Sequence, residues 1–355
     1  MNKKIEKFFI TPQKSIKQAL RQMDEAAEKI LFVVNLNNNQ LLGTVTDGDF
    51  RRWILQGRGL NRNISEVMNT KPIILKEGFP LEEAKRLMMT NEIECIPILD
   101  QRRRIVSAIW WLDLFEKKNK NHREIDIPVV IMAGGEGIRL SPFTRILPKP
   151  LMPIGDKPII ELIIGKFAEY GCKKFYLSVN YKSNLIKAYF SDFTHDYNIT
   201  YVEEKKTLGT AGSLYLLRGK IDTTFFVSNS DILIEANYAD ILEFHKGNNN
   251  KITLVSSMKH YTIPYGVCKI EAGGNLIKIS EKPEYDFLVN SGMYILEPEV
   301  IADIPQNKSY NMPELINDYL KNKKKVGVYP ISEKSWLDIG EWEGLQNTLK
   351  SFGIK

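Results

Sequence analysis

Apolar positions follow two different patterns along the chain, and the first of these patterns occurs twice. Residues 15–23 align with residues 80–88, and residues 30–49 align with residues 94–113. Each copy predicts an amphipathic helix, a short strand, a turn, a second strand and then another helix. Self-similarity on this scale indicates two copies of one structural unit that pack against each other.

The second pattern begins near residue 128, where short apolar runs alternate with stretches of helical spacing. The run at 129–133 is apolar at every position, which is typical of a strand buried on both faces of a parallel sheet. Alternation of this kind predicts an α/β fold with a largely parallel sheet and ligands at the carboxyl ends of its strands. The strands are expected at 129–133, 174–179, 199–203 and 223–231, and the helices at 158–170 and 185–190.

These patterns predict two domains of unequal size, one of them divided by the repeat. A chain of 355 residues is long enough for two domains with their own cores. The first repeat is expected at 1–62, the second at 63–120 and the larger domain at 128–355. A polar, lysine-rich stretch at 117–127 separates them, and the linker itself is expected at 121–127.

Charge and cysteine content narrow the class of protein. The net charge is +6, and residues 1–124 carry all of the excess, with 22 Lys and Arg against 16 Asp and Glu. A nucleic-acid surface or plain solubility could explain this, but a small anionic ligand of the repeated module is favoured. No apolar run reaches the ~18 residues of a membrane span. The three cysteines form no CxxC pair, so we expect reduced thiols in a cytoplasmic protein.

A glycine-rich turn and two cations follow the strand at 129–133. Glycines let backbone N–H groups approach an anion, and Arg139 has a forked donor set suited to phosphate. Lys149 stands between two prolines that stiffen its backbone. The turn is not a Walker A loop, since no Gly-Lys-Ser/Thr closes it, and Leu140 replaces the third glycine of a dinucleotide fingerprint. We therefore predict a polyphosphate site at Ala133, Gly134, Gly135 and Gly137.

GGxGxRL followed by PKP resembles the signature of the sugar-1-phosphate nucleotidylyltransferases, although Ile138 stands where that family usually has threonine. The resemblance covers almost all of residues 128–350 and implies a Rossmann-like (GT-A-like) catalytic domain with a mixed, mostly parallel sheet. Among its branches, the chain looks most like the mannose-1-phosphate guanylyltransferases. The later segments that carry this resemblance are LGTAG at 208–212, PYGV at 264–267, EKP at 281–283, VNSGMY at 289–294 and WLDIG at 336–340.

Two aspartates are expected to hold a metal ion. Asp231 ends a buried strand, where a carboxylate is costly unless it has a function such as binding a metal. Asp338 lies in a similar apolar setting. In enzymes that this chain resembles both aspartates are metal ligands, so we expect Mg²⁺ as the cofactor. Ser230 departs from the family, which usually has glycine there.

The resemblance also implies how the two substrates are held. Arg139 and Lys149 would contact the triphosphate and Lys282 the sugar phosphate, and these three are the expected catalytic residues. Gly209 and Thr210, at the start of a predicted helix, would bind the base and ribose. The sugar-binding residues implied by the resemblance are Tyr265, Gly266, Glu281, Asn290 and Gly292.

The repeated segment resembles a tandem pair of CBS domains, also called a Bateman pair. The first copy has the ligand signature G-h-x-T-x-x-D at 43–49, in which Thr46 can bond phosphate and Asp49 can bond ribose hydroxyls. The second copy has Trp110 in place of the threonine and keeps only Asp113. We therefore expect one regulatory nucleotide, bound mainly by the first repeat. The alternative is a module that only dimerises, and a homodimer or higher homo-oligomer is expected in either case.

The expected reaction is transfer of GMP from GTP to mannose 1-phosphate or glucosamine 1-phosphate, which gives an NDP-sugar and pyrophosphate for surface-glycan or nonulosonate synthesis. Neither nucleic acid nor a membrane is an expected partner. Thymidylyl, cytidylyl and uridylyl transfer remain alternatives, because base choice depends on contacts that the motifs do not reveal. A further alternative is a catalytically inactive protein that senses nucleotides through its CBS pair.

Overall fold

A computed structural model of the chain describes residues 5–26, 28–91, 93–114, 123–192, 194–340 and 344. Part of the predicted linker and the C-terminal end of the larger predicted domain lie outside the described residues. So does the side chain of Asp113. The chain divides into one unit at residues 1–121 and another at residues 122–355. Among the described residues, no helix combines the length and hydropathy needed to span a bilayer.

The first unit contains the predicted repeat of helix, two strands and helix. Its strands form two three-stranded sheets, β1-β2-β3 and β4-β5-β6, with one sheet in each repeat. The prediction of a repeated module is therefore confirmed. The elements are β1 (Phe9–Ile10), α1 (Ile16–Ala26), β2 (Ile30–Asn35), β3 (Gln40–Thr46), α2 (Asp47–Leu55), β4 (Leu75–Lys76), α3 (Leu81–Asn91), β5 (Cys95–Leu99), β6 (Ile105–Trp110) and α4 (Trp111–Leu114), with 3-10 helices at Ile5–Phe8 and Ile64–Glu66.

The two repeats share a hydrophobic core. Trp110 of the second repeat is buried, with its ring centroid 5.1 Å from that of Phe8 at the start of the first repeat. Their turns also meet, because Leu41 N–H donates to the Arg103 carbonyl (3.1 Å) and Ile105 N–H donates to the Asn39 carbonyl (3.1 Å). Trp110 therefore fills space in this core.

The second unit is built on a seven-stranded sheet with the order β11-β10-β7-β12-β17-β14-β18. Every pairing in it is parallel except the two made by β17. The elements are β7 (Val129–Met132), β8 (Pro153–Ile154), β9 (Lys157–Pro158), α5 (Ile159–Ala168), β10 (Lys174–Val179), α6 (Ser183–Ser191), β11 (Asn198–Glu203), α7 (Gly209–Gly212), β12 (Phe225–Asn229), β13 (Ile232–Ile234), α8 (Tyr238–Gly247), β14 (Ile252–Thr262), β15 (Val267–Ile270), β16 (Leu276–Ser280), β17 (Glu284–Leu296), α9 (Glu299–Ala302), α10 (Met312–Lys321), β18 (Val326–Ile331) and β19 (Trp336–Asp338), with 3-10 helices at Ile138–Leu140, Phe143–Arg145, Lys149–Leu151, Ser213–Leu217 and Glu333–Ser335.

Both faces of this sheet are covered, as the uniformly apolar run at 129–133 predicted. In β7 the side chains of Val129 and Ile131 belong to one core, with α5, α6 and α8. Val130 points the other way into a second core with α7, α9 and α10. Successive side chains of a strand alternate between faces, so a strand between two helical layers must be apolar throughout. The expected Rossmann-like fold is confirmed.

The segment 290–294 lies within β17, which continues through it to Leu296. The pairing with β14 shifts at this point, where Val255 pairs with Met293 and the next residue, Ser256, pairs with Asn290. Ser291 and Gly292 are therefore an irregularity within a continuous strand, and Gly292 has φ +90°. Such bulges redirect side chains without ending the sheet.

Candidate active site

A cavity of about 590 Å³ lies at the carboxyl ends of β7 and β12, which are neighbours in the seven-stranded sheet. Volumes of about 300–1,000 Å³ are typical of small-ligand sites, and ligands of open α/β sheets bind at this edge. Ala133 is fully buried at the end of β7 and is not among the lining residues. The predicted site residues that line the cavity are Gly134, Gly135, Gly137, Arg139, Lys149, Gly209, Thr210 and Asp231.

The glycine turn brings the two predicted cations together. Gly137 has φ +65°, and a Cβ placed there would lie 2.9 Å from Thr144 Cγ2 and 3.0 Å from Lys149 Cβ. A side chain at this position would therefore be strained and would collide with the segment that carries Lys149. Arg139 follows directly in the 3-10 helix Ile138–Leu140. Ile138, the departure from the family signature, is 75% exposed and also lines the cavity.

The two predicted metal ligands meet where β13 and β19 pair. Ile232, next to Asp231, pairs with Asp338 in this antiparallel ladder, and Ile339 N–H donates to the Asp231 carbonyl (2.9 Å). A Cβ placed on Gly340 would lie 2.8 Å from Asp338 Oδ1, 2.9 Å from Asp231 Oδ2 and 3.2 Å from Lys149 Nζ. Two carboxylates and one ammonium therefore converge on this glycine, and a larger residue would push into them.

The charges in this cluster fit a divalent cation. Lys149 Nζ donates to Asp231 Oδ2, while Asp338 Oδ1 accepts from Gly340 N–H at 2.6 Å. Burial raises the pKa of Asp338, and the nearby Asp231 carboxylate adds to the rise, so the two carboxylates need positive charge between them. Within the described part of the chain, no three His, Cys, Asp or Glu residues converge as a metal site. The pair would thus hold Mg²⁺ together with water or phosphate oxygens, which is its usual coordination.

Glu204 and Asn229 are among the lining residues that the sequence patterns did not reveal. Glu204, just after β11, accepts from Ser178 Oγ (2.7 Å) and from Leu208 N–H (3.1 Å). Its Oε1 would be 2.9 Å from a Cβ on Gly134, so the carboxylate lies beside the glycine turn. Asn229, at the end of β12, also lines the cavity. The signal for Glu204 was its place after a strand of the parallel sheet.

The two residues predicted to bind the base and ribose lie where two helices meet. Gly209 begins α7, and Thr210 Oγ accepts from Met312 N–H (3.0 Å) at the start of α10. Thr210 N–H also lies 3.3 Å from Asn311 Oδ1. Both Gly209 and Thr210 line the cavity, but the Thr210 hydroxyl is already engaged by the protein. Its contribution to a ligand would come from its O–H group and its remaining lone pair.

The predicted sugar-binding residues are less closely assembled than the predicted nucleotide-binding residues. Tyr265 is 73% exposed, and Glu281 Oε2 would be 3.1 Å from a Cβ on Gly266, so these segments touch each other. Lys282 is exposed and has φ +43°, an uncommon conformation for a lysine. None of these residues lines the cavity.

Asn290 and Gly292 lie closer to the cavity, although they do not line it. Asn290 donates to Tyr294 Oη (2.7 Å) and accepts from Gly292 N–H (3.1 Å). A Cβ on Gly292 would lie 2.6 Å from Asn229 Nδ2, so the bulge of β17 packs against a residue that does line the cavity. The structure therefore brings one of the sugar-side segments next to the nucleotide side.

In the first unit, the predicted nucleotide ligands cap a helix. Thr46 is the N-cap of α2, and Asp49 N–H bonds its hydroxyl (3.3 Å) while Thr46 N–H bonds Asp49 Oδ2 (2.8 Å). Arg52 pairs with Asp49 at 2.5 Å. Gly43 has a packing reason of its own, since a Cβ there would be 2.6 Å from the Asn69 carbonyl oxygen. A capping box explains the threonine and the aspartate without a ligand, and its spacing was visible in the sequence.

Family comparisons match both units. The family model described as nucleotidyl transferase matches residues 128–352, well over half of the chain. The CBS domain model matches residues 1–56 and 64–109. Among individual proteins, the chain is 34% identical over 221 residues to a mannose-1-phosphate guanyltransferase of Yarrowia lipolytica, and 35% identical over 222 residues to mannose-1-phosphate guanyltransferase 2 of Candida glabrata. Each alignment covers 60% of this chain and about 60% of the relative, so the chain spans less than two thirds of those relatives.

Among solved structures, the chain is similar to HddC from Yersinia pseudotuberculosis. The identity is 26% and the TM-score 0.51, over 64% of this chain and 99% of that protein. A second crystal structure of HddC, in complex with GMP-PN, matches with a TM-score of 0.50.

Proposed function

Because the chain belongs to the nucleotidyl transferase family and carries a CBS pair, we propose that it transfers GMP from GTP to mannose 1-phosphate and releases pyrophosphate. The observation that carries the proposal is the cluster of Lys149, Asp231 and Asp338 at the cavity edge, beside Arg139 and the glycine turn. The names of the relatives favour this base and sugar. Glucosamine 1-phosphate stays a second candidate from the sequence.

This reaction requires the protein to position the substrates and to supply positive charge, but it requires no general base. A phosphate monoester has its second pKa near 6, so the sugar phosphate oxygen is already an anion at pH 7. That oxygen attacks the α-phosphorus of GTP, the bond from the α-phosphorus to the bridging oxygen breaks, and pyrophosphate leaves with the electron pair. Two anions must be brought together, and preorganised cations lower the barrier to this step.

The residues of the cavity divide these tasks. Arg139 and the N–H groups of the glycine turn would hold the β- and γ-phosphates, because forked donors and exposed amides suit phosphate oxygens. Lys149 would face the α-phosphate, where negative charge accumulates in the transition state. Mg²⁺ held by Asp231 and Asp338 would supply positive charge to the same oxygens. Lys282 would bind the sugar phosphate.

Glu204 supports guanine as the base. A carboxylate only accepts hydrogen bonds, and guanine presents two neighbouring donors, N1–H and the 2-amino group, on one edge. Adenine and cytosine present an acceptor on that edge, which a carboxylate would repel. Glu204 is held by Ser178 and Leu208, so it is preorganised within the cavity. We propose that Glu204 selects guanine.

Pyrophosphate release, measured with ATP, GTP, CTP, UTP and dTTP against a panel of sugar 1-phosphates, tests the activity directly. We expect the highest kcat/KM with GTP and mannose 1-phosphate. If pyrophosphate is released most efficiently with a different nucleotide, the protein has the activity of another branch of the family. If no pair of substrates gives pyrophosphate in the presence of Mg²⁺, the second unit is inactive and the CBS pair becomes the functional part.

Lys282→Ala should raise the KM for mannose 1-phosphate about 10-fold and leave the KM for GTP nearly unchanged, because one charge-assisted contact contributes about 1.5–3 kcal/mol. Steady-state kinetics with each substrate varied in turn gives both constants. Lys278→Ala, on the exposed strand β16, is the matched control and should behave as the unmodified protein. Equal changes in both KM values would show that Lys282 does not act on the sugar phosphate alone.

We also propose that the first CBS repeat binds one nucleotide per chain. The proposal is supported by the net charge of residues 1–124, which favours an anion, and by the signature at 43–49. Calorimetric titration of ATP, ADP, AMP, GTP and GDP into a fragment of residues 1–124 should give a stoichiometry near one. Asp49→Ala should abolish the heat, and Asp113→Ala should leave it unchanged. If none of these nucleotides binds below millimolar concentration, dimerisation is the better explanation of the module.

Some expectations stay predictions. These are the domain boundaries, the Mg²⁺ requirement, the cytoplasmic location, the homo-oligomeric state and a role in surface-glycan or nonulosonate synthesis. Any coupling between the CBS nucleotide and catalysis would be of the order of 1–3 kcal/mol, the usual range for two linked sites.

A further inference from the structure

Residues 141–147 form a segment between Arg139 and Lys149. Only some of its side chains are buried. Thr144 is buried, and its hydroxyl donates to the Gly137 carbonyl (3.0 Å), which ties the segment to the glycine turn. Phe143 and Ile146, however, are 48% and 80% exposed. Burial therefore anchors this segment incompletely, although it connects the two cations of the site.

Two consecutive residues from a different element complete the anchoring. Tyr181 Oη donates to the Thr144 carbonyl (3.2 Å), and Lys182 Nζ donates to the carbonyls of Arg145 and Ile146, the latter at 2.8 Å. These three consecutive carbonyls lie at the end of the short helix Phe143–Arg145, where carbonyl groups lack helical partners and carry partial negative charge. An ammonium group is well suited to that end.

The backbone of Lys182 indicates that the lysine itself matters. Lys182 is the N-cap of α6 and has φ +50°, ψ +35°, a left-handed conformation that glycine and asparagine adopt far more readily. A lysine there costs conformational energy that an asparagine would largely avoid. Strain at a residue is grounds for suspecting a role, and its ammonium makes the contacts just described.

We propose that Tyr181 and Lys182 are positioning residues that hold segment 141–147, and through it Arg139 and Lys149, in the geometry that phosphate transfer needs. The same corner also supports the opposite side of the cavity, since Asn180 Nδ2 donates to the Glu204 carbonyl (2.7 Å). Neither Tyr181 nor Lys182 lines the cavity. The expected effect on kcat rests on the proposed transferase activity, but the expected effect on the position of segment 141–147 does not.

Lys182→Asn removes the ammonium group while also relieving the backbone strain, so the role of the ammonium can be tested without a loss of stability from strain. Asparagine accepts the left-handed conformation, so the melting temperature should not fall, while kcat should fall about 10-fold because the cations are less well placed. The KM for mannose 1-phosphate should stay within about twofold, because the sugar side does not depend on this segment. Lys182→Arg keeps a cation with several donors and should restore most of kcat. A residue with a purely stabilising role would instead lower the melting temperature along with the activity.

Hydrogen–deuterium exchange provides a readout that needs no turnover. Peptides covering 141–147 should exchange faster in the full-length Lys182→Asn protein, and peptides from α5 should not. Lys251→Asn is the matched control, since Lys251 pairs with Glu299 outside the cavity lining, and it should change neither exchange nor kcat. If the unmodified protein releases no pyrophosphate, the proposed function fails while the exchange result still decides the positioning role. Unchanged exchange at 141–147, or an unchanged kcat in an active enzyme, would overturn the inference.

Discussion

Replacing either Asp231 or Asp338 with asparagine should lower turnover about 100-fold or more, the equivalent of ~3 kcal/mol of transition-state stabilisation. Asparagine keeps the size of the side chain and its hydrogen-bonding oxygen, so the ladder between β13 and β19 should survive. What it removes is half of the negative charge that would hold Mg²⁺. Lys149 would also lose its carboxylate partner in Asp231→Asn.

Initial rates of pyrophosphate release, measured over a range of Mg²⁺ concentrations, give the size of the effect. Titration of Mn²⁺ into the unmodified protein and into each variant, followed by electron paramagnetic resonance, gives a second readout that does not require catalysis. Asp303→Asn is a matched control, because Asp303 accepts from Tyr319 Oη and pairs with Lys324 outside the cavity lining. Full activity of either site variant, or activity that survives EDTA, would refute the metal assignment.

Sequence patterns predicted the elements that depend on local periodicity. The uniformly apolar run at 129–133 predicted a strand that is covered by a core on each face, and β7 is such a strand. Likewise, the duplicated segments before residue 114 gave two small sheets, because each copy presents the same apolar face to be covered. The glycine turn could be located because φ above zero and close approach restrict Gly137 to glycine.

Contacts between distant segments could not be predicted in this way. The pairing of Lys149 with Asp231, and the approach of both to Gly340, depend on how three loops meet at one edge of the sheet. The bulge in β17 could not be predicted, because a glycine can end a strand or kink it, and the pairing partner decides which. Glu204 belongs to no motif, and its place just after β11 does not by itself show that it lines the cavity while its neighbour Glu203 does not.

Those two neighbouring glutamates allow a sharp test of base selection. Glu204→Gln should lower kcat/KM for GTP about 100-fold, because charge-assisted hydrogen bonds contribute about 1.5–3 kcal/mol each and two are weakened. Glu203→Gln is the matched control one position away, since Glu203 is exposed and pairs with Lys187 instead of lining the cavity. It should keep nearly full activity.

Inosine triphosphate separates the proposed contact from general damage. It lacks the 2-amino group of GTP, so the unmodified protein should prefer GTP, and in Glu204→Gln this preference should largely disappear. The two substitutions, one in the protein and one in the ligand, form a cycle whose non-additivity measures the contact between Glu204 and the 2-amino group. If Glu204→Gln lowered activity with GTP and inosine triphosphate by the same factor, Glu204 would only brace the loop through Ser178 and Leu208. Base selection would then depend on other residues of the cavity, of which Asn229 and Thr210 would be the next to test.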